Sequence, residues 1–245
     1  MLNEIKAFFF DMDDTLIHFG GSLTKKAWYH TCERMFEKYP DLSIDTKKLA
    51  EQIIKRNEEI WSDDATIKKA SKDYNGVRRL VLQTAMHDVS FESEQCLEFL
   101  ITEYAIIKEA LVSLFPNVHN TLMQLKNNGY QLVLITNGNS EKQRGKIARF
   151  DLEKYFDTIL IGGEAGVQKP DFAIYQKAME YCNVQPNEAC MVGDNYSWEV
   201  EAPSKYGLKT VWVNYEQNPI PENRTVDPDL IVRNIEEILQ TLDIK

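Results

Sequence analysis

The chain has 245 residues, 43% of them hydrophobic, enough for one large domain or two unequal ones around an ordinary core. Its 28 Lys and Arg face 38 Asp and Glu, a net charge of -10 that argues against nonspecific nucleic-acid binding and against an anionic membrane surface. Small molecules are the expected partners, and the composition leaves the oligomeric state unknown.

The N-terminal stretch "MLNEIKAFFFDMDD" lacks the basic region and cleavage site of a signal peptide. No apolar run approaches the ~18–20 residues needed to span a bilayer, so the expected location is cytoplasmic, with no membrane partner. Cys32, Cys96, Cys182 and Cys190 show no CxxC spacing and read as buried thiols rather than zinc or redox centres. In that setting the sequons at Asn195 and Asn223 are chance matches.

The first predicted element is "IKAFFF", residues 5–10, a short apolar run of the kind found in a buried parallel strand. Four segments with apolar residues at helical spacing follow, near 23–38, 46–61, 66–87 and 92–111. Val77, Leu80, Val81, Thr84 and Ala85 form one such stripe. Trp28, Tyr29 and Trp61 read as packing residues, and "SDDATIKKASKD", 62–73, as a solvated helical face. Gly20 and Gly21, ahead of the first of these helices, can absorb the backbone changes of a moving lid.

After "LFPNV" the pattern alternates: helix 117–128, strand "YQLVLIT", helix 140–149, strand "TILIG", helix 171–182, strand "ACMVGD", helix 197–206 and strand "LKTVWVN". A Pro-bearing loop at 217–229 leads to a last short strand and the helix "NIEEILQTL". Alternation of this kind predicts βαβ units and a doubly wound parallel sheet. The expected fold is therefore α/β: a Rossmann-like core of residues 1–17 and 112–245, with a four-helix-bundle cap, 18–111, inserted into it.

Three aspartates within four positions, "DMDD", need compensation, since two unit charges ~4 Å apart repel by about 4 kcal/mol at an effective dielectric near 20. A calcium loop is excluded, because Leu16 and Ser22 stand where an EF-hand needs Gly and Glu. Ligands of open α/β sheets bind at the carboxyl ends of strands. Four such ends carry "DMDDT", "TNG", "GGEAGVQKPD" and "GDN". Carboxylates, a hydroxyl, turn amides and one lysine suit a divalent metal and a phosphate group.

In order and spacing, D-x-D-x-T at 11–15, T-N-G at 136–138, K-P at 169–170 and G-D at 193–194 resemble the haloacid dehalogenase-like (HAD) hydrolase superfamily. The likeness is to its phosphatases with a helical cap after the first strand. "LITNG" followed by "QRGKI", "GGE" and "QKP" is similar to the small-phosphomonoester group that includes N-acylneuraminate-9-phosphatase and bacterial pyrimidine nucleotidases.

The resemblance implies Asp11 as nucleophile, forming an aspartyl-phosphate, and Asp13 as general acid and base. It implies Mg²⁺ held by Asp11, Asp194 and the Asp13 carbonyl. Thr136 and the amide of Asn137, with Gly138 in the same turn, would bind phosphate, and Lys169 would neutralise the nucleophile and the developing charge. Where many relatives carry Asp five residues after the G-D aspartate, this chain has Glu199, expected to reach the metal through water. His18 and Phe19, at the cap hinge, are candidates for substrate contact; His30, His87 and His119 show no paired metal spacing.

No G-x-S-x-G, Walker A or G-x-G-x-x-G motif occurs, which disfavours serine hydrolases, P-loop kinases and dinucleotide enzymes. A dehalogenase would not need Asp13, because a halide leaves without protonation. The expected activity is Mg²⁺-dependent hydrolysis of a small phosphomonoester, a nucleoside monophosphate or a sugar phosphate. A phosphomutase of the same superfamily and a non-catalytic phospholigand-binding protein are the alternatives.

Overall fold

The computed structural model of the chain describes residue 2 and residues 4–61 and 73–244. Outside the described residues lie the Trp61 side chain, the charged run at 62–73 apart from Asp73, and residues 66–72 of the helix expected at 66–87. The chain divides into two compact units, Met1–His18 with Ser113–Lys245, and Phe19–Val112. Each junction falls one residue beyond the expected position.

The first unit is built on strand β1, Ala7–Phe10, all four residues of which are buried. Successive side chains of a strand point to opposite faces, so one short strand serves two cores. Ala7 and Phe9 join Val133, Ile135, Ile174, Tyr175 and Ala178 in one apolar cluster. Phe8 meets Tyr130 edge-on and Phe10 meets Phe156 on the other face. A central parallel strand is apolar throughout because both of its faces are covered.

The remaining core strands are β4 (Gln131–Thr136), β5 (Thr158–Ile161), β6 (Ala189–Gly193), β7 (Lys209–Val213) and β8 (Leu230–Val232). They lie in the order β5-β4-β1-β6-β7-β8, and every neighbouring pair is parallel. The sheet is thus the expected doubly wound one. β1 pairs with β4 on one side and β6 on the other, so the strand order reverses at β1 and the carboxyl ends of these three strands form the switch-point crevice. Two elements have no apolar signature in the sequence: β2 (Ile17–His18) and β3 (Ser113–Leu114), an antiparallel pair where the chain leaves and re-enters this unit.

The second unit holds four helices among the described residues: α1 (Gly21–Lys38), α2 (Thr46–Trp61), α3 (Tyr74–Asp88) and α4 (Glu94–Leu111). α1 packs on α2 and α4, and α3 completes the ring by packing on the same two. Trp28 is buried and stacks on Tyr104 with ring centroids 3.6 Å apart. The stripe expected on α3 needs correction: Val77, Val81 and Ala85 are buried as expected, but Leu80 is 46% exposed. Leu82 and Met86 flank the row instead, because the buried face is turned to the other side of it. All four cysteines are free and buried, and no described helix is long and apolar enough to cross a membrane.

In the first unit the helices are α5 (Val118–Asn127), α6 (Ser140–Arg149), α7 (Gly162–Ala165), α8 (Phe172–Cys182), α9 (Ala202–Lys205) and α10 (Glu237–Thr241). The helix expected at 197–206 is a π-type turn, Tyr196–Glu201, followed by the short α9. Pro203 explains the break: it has no N–H to offer the Glu199 carbonyl, and its ring crowds that oxygen in a regular α-helix.

Candidate active site

The three central strand ends deliver their polar residues to one place by simple register. Phe10 pairs with Leu134 and with Val192, so Asp11, Thr136 and Asp194 all emerge within two positions beyond the same rung. The Asp11 backbone N–H still donates to Val192 O at 2.9 Å, which holds the first aspartate against the sheet. Beyond it the chain folds into a tight turn in which Leu16 and Ile17 both donate to Met12 O, and Asp14 takes a left-handed φ of 62°. The turn separates Asp11 from Asp13 although only Met12 lies between them.

Each of these two carboxylates has its own cation. Lys169 Nζ donates to Asp11 Oδ1 at 2.5 Å and to Glu199 Oε1 at 2.7 Å, with the lysine side chain 1% exposed. Asp13 instead accepts from Lys146 Nζ at 2.7 and 2.8 Å, through both oxygens, and from Gln143 Nε2 at 3.1 Å. Gln143 Nε2 also donates to Thr136 Oγ1 at 2.6 Å. Asp194 is tied to the D-x-D-x-T turn: its backbone N–H donates to Thr15 Oγ1 at 3.1 Å, and that hydroxyl donates to Asp194 Oδ1 at 3.3 Å. Trp212 Nε1 fixes the Asp194 carbonyl at 2.8 Å.

Asn137 has a task the sequence did not reveal. Its side chain brackets the backbone of Lys169, donating from Nδ2 to the carbonyl at 2.8 Å and accepting from the N–H at 2.9 Å. Gly138 follows with φ +109°, a backbone conformation costly for any other residue, and lets the chain turn from β4 into α6. The substrate candidates outside the strand ends, His18 and Phe19, make aromatic and cation–π contacts. His18 stacks on Phe115 at 5.2 Å, Phe115 stacks on Tyr215 at 3.7 Å, and Phe19, in the other unit, lies under the Lys108 ammonium at 4.1 Å.

Burial shapes the charges. Desolvation pushes the Asp11 carboxyl up, with Lys169 opposing through charge and hydrogen bonding and Asp13 adding repulsion. Desolvation and the charges of Asp11, Glu199 and Asp14 raise Asp194 to about 9. Desolvation raises Glu199 to about 7 against the pull of Lys169. Burial alone would lower the Lys169 ammonium, but the charges of Asp11 and Glu199 outweigh it and hold it above its ordinary range. The group therefore holds more carboxyl groups than its one buried lysine can keep ionised.

That imbalance, and the donor chemistry, fit a hard divalent cation. Among the described residues no three His, Cys, Asp or Glu side chains converge as a metal cluster. Magnesium does not need one, since it keeps several waters and takes only one or two protein carboxylates. Asp11 and Asp194 supply two carboxylates, and the Asp13 carbonyl lies on the same turn. Glu199 Oε2 is buried and has no hydrogen-bond partner, a polar atom still wanting a donor or a water.

Glu199 fits only because the strand end beneath it is bare. A Cβ built on Gly193 would stand 2.2 Å from Glu199 Cγ. Gly193→Ala is therefore expected to displace Glu199 and cost roughly 1–3 kcal/mol through overpacking. Thermal unfolding checks it; a melting temperature equal to that of the unsubstituted protein would show that Glu199 has room to spare.

Sequence reasoning missed Gln143 and Lys146. The signal was present: from the Asn139 cap, whose Oδ1 accepts from Lys142 N–H, positions 143 and 146 fall on one face of α6, and that face is buried. A glutamine and a lysine on a buried face require polar partners.

Residues 5–207 match the haloacid dehalogenase-like hydrolase family. The chain is 30% identical over 217 residues to a glyceraldehyde 3-phosphate phosphatase of Pyrococcus furiosus, covering 87% of this chain and 82% of that one. It is 25% identical over 249 aligned positions to the N-acylneuraminate-9-phosphatase of Mus musculus, covering 100% and 97%. Among solved structures, the HAD-hydrolase YfnB of Bacillus subtilis, bound to magnesium, shares the fold with a TM-score of 0.71 at 20% identity, over 98% of this chain and 99% of that one.

Proposed function

The chain belongs to the haloacid dehalogenase-like hydrolases and is a phosphomonoester-hydrolysing enzyme of that family, and from this premise we propose that it uses Mg²⁺ and an aspartyl-phosphate intermediate to hydrolyse small sugar phosphates or nucleoside monophosphates. The observation that carries the proposal is the separation of Asp11 from Asp13: neighbouring carboxylates held by different lysines, Lys169 and Lys146, as two different roles require.

In the first step an Asp11 oxygen attacks phosphorus, the ester P–O bond breaks, and the leaving oxygen takes a proton from Asp13. In the second, Asp13 takes a proton from water, the water oxygen attacks phosphorus, and inorganic phosphate leaves with Asp11 regenerated. Lys169 offsets the charge on Asp11 in its dry site, while the Thr136 hydroxyl and the amides of the 136–138 turn bind phosphate oxygens. Mg²⁺, held by Asp11, Asp194 and the Asp13 carbonyl with Glu199 beside it, would supply electrostatic stabilisation of the phosphoryl oxygens. Two relatives named for phosphorylated carbohydrates favour sugar phosphates over nucleotides.

The test is phosphate release from triose, hexose and nucleoside monophosphates and p-nitrophenyl phosphate, in Mg²⁺ or EDTA. Release in Mg²⁺ alone, with sugar phosphates leading, is the expected result. Formation of an isomer from a sugar monophosphate supplied with a bisphosphate would identify a mutase instead. Mg²⁺ should also raise the melting temperature, because a ligand of the folded state stabilises it by mass action, and Asp194→Asn should abolish that rise. A rise undiminished in Asp194→Asn would place the cation elsewhere.

A further inference from the structure

We infer that Gln143 and Lys146, on one buried face of α6, are positioning residues that lock the acid–base carboxylate of Asp13 and tie it to the phosphate-binding hydroxyl of Thr136. The inference rests on the phosphatase reading above and extends it to two residues outside the strand-end motifs.

The geometry is specific at each atom. Gln143 is 4% exposed and Lys146 9%, so neither side chain is held by solvent. A carboxylate only accepts hydrogen bonds, so the Gln143 amide must turn its nitrogen toward Asp13 Oδ2. The same nitrogen reaches Thr136 Oγ1 at 2.6 Å. With that donor on its oxygen, the Thr136 hydroxyl keeps its own hydrogen for another acceptor, and its contact with Asn137 O is long, at 3.4 Å. A phosphate oxygen is the acceptor this arrangement leaves room for. Lys146, one turn further along α6, holds both oxygens of Asp13 and so fixes the rotation of the carboxylate about its Cβ–Cγ bond.

A neutral amide bridging two strand-end groups, Asp13 beyond β1 and Thr136 at the end of β4, makes their spacing a property of the fold rather than of two free rotamers. That spacing matters because the phosphorus must sit on Thr136 while its ester oxygen meets Asp13. A misplacement on the order of 1 Å at a proton donor costs roughly 100-fold in rate.

The experiment compares kcat/KM for a sugar phosphate and for p-nitrophenyl phosphate. This ratio reports every step through departure of the leaving group and none after it. An alkoxide needs the Asp13 proton to leave, whereas a nitrophenolate does not. Gln143→Leu is expected to lower kcat/KM for the sugar phosphate roughly 10- to 100-fold more than for the aryl ester, and to weaken inhibition by inorganic phosphate. Lys146→Met should give the same discrimination with inhibition by inorganic phosphate unchanged, since Lys146 touches Asp13 and not Thr136. In an Asp13→Asn background neither substitution should discriminate further, because coupled groups are non-additive.

A purely structural role predicts equal losses for both substrates, persisting in the Asp13→Asn background, and that result would overturn the inference. Should Gln143→Leu not fold, Gln143→Met and Lys146→Met carry the same comparison. Wild-type protein that cleaved neither substrate in Mg²⁺ would sink the phosphatase reading and the positioning role with it. An active wild type with indiscriminate variants would sink only the positioning role.

Discussion

Asp11→Asn should abolish turnover of every phosphomonoester, with kcat lower by on the order of 10⁴-fold or more, while the protein stays folded. The amide has the shape of the carboxylate but no anionic oxygen to attack phosphorus, so the loss does not depend on the leaving group. Folding should survive because the substitution removes a charge that burial already disfavours, and Lys169 keeps Glu199 as its partner. Asp13→Asn makes the contrast. It should spare kcat/KM for p-nitrophenyl phosphate, whose leaving group needs no proton, and lower it roughly 100- to 10,000-fold for sugar phosphates. Phosphate release and a melting curve for each variant check both statements. Asp11→Asn retaining activity within tenfold of wild type would show that another group attacks phosphorus.

The parts legible in the sequence are those written in short-range pattern. β1 could be read because a central parallel strand is apolar on both faces, and the strand ends could be read because their polar residues interrupt that pattern. Helices 140–149 and 171–182 could be read from caps and periodicity: Asn139 and Asp171 accept from backbone N–H groups in the first turns of α6 and α8. What failed depended on contacts far apart in the chain. β2 and β3 are two residues each and exist only because residues 17 and 114 meet. The π-type turn at 196–201 departs from the regular helix expected at 197–206 because Pro203 withholds an N–H from the Glu199 carbonyl. Gln143 and Lys146 lie in a helix whose sequence is mostly polar, so the pattern alone does not mark their face as buried. Only the approach of Asp13, more than a hundred positions earlier, shows what they serve.

Lys169→Met should be the most destabilising single change at the site. The side chain is buried between Asp11 and Glu199, and removing its ammonium leaves two carboxylates in a dry environment with no cation on them. Breaking a buried ion pair from one side costs roughly 3–5 kcal/mol, because the remaining charge cannot recover its water. For a chain of this size that corresponds to a fall of roughly 6–20 °C in melting temperature, measured in EDTA so that a bound cation cannot substitute for the lysine. Adding Glu199→Gln to Lys169→Met should restore part of the loss, since it removes one of the stranded charges, whereas independent effects would add. Activity should not return with stability: Lys169 also offsets the charge on Asp11 as phosphorus is attacked, a contribution worth roughly 100- to 1,000-fold in kcat. A double variant that regained stability while its turnover stayed below that of Glu199→Gln alone would assign Lys169 both tasks. A single variant that melted with wild type would mean that the two carboxylates are satisfied without it, and the charge balance drawn for this site would have to be abandoned.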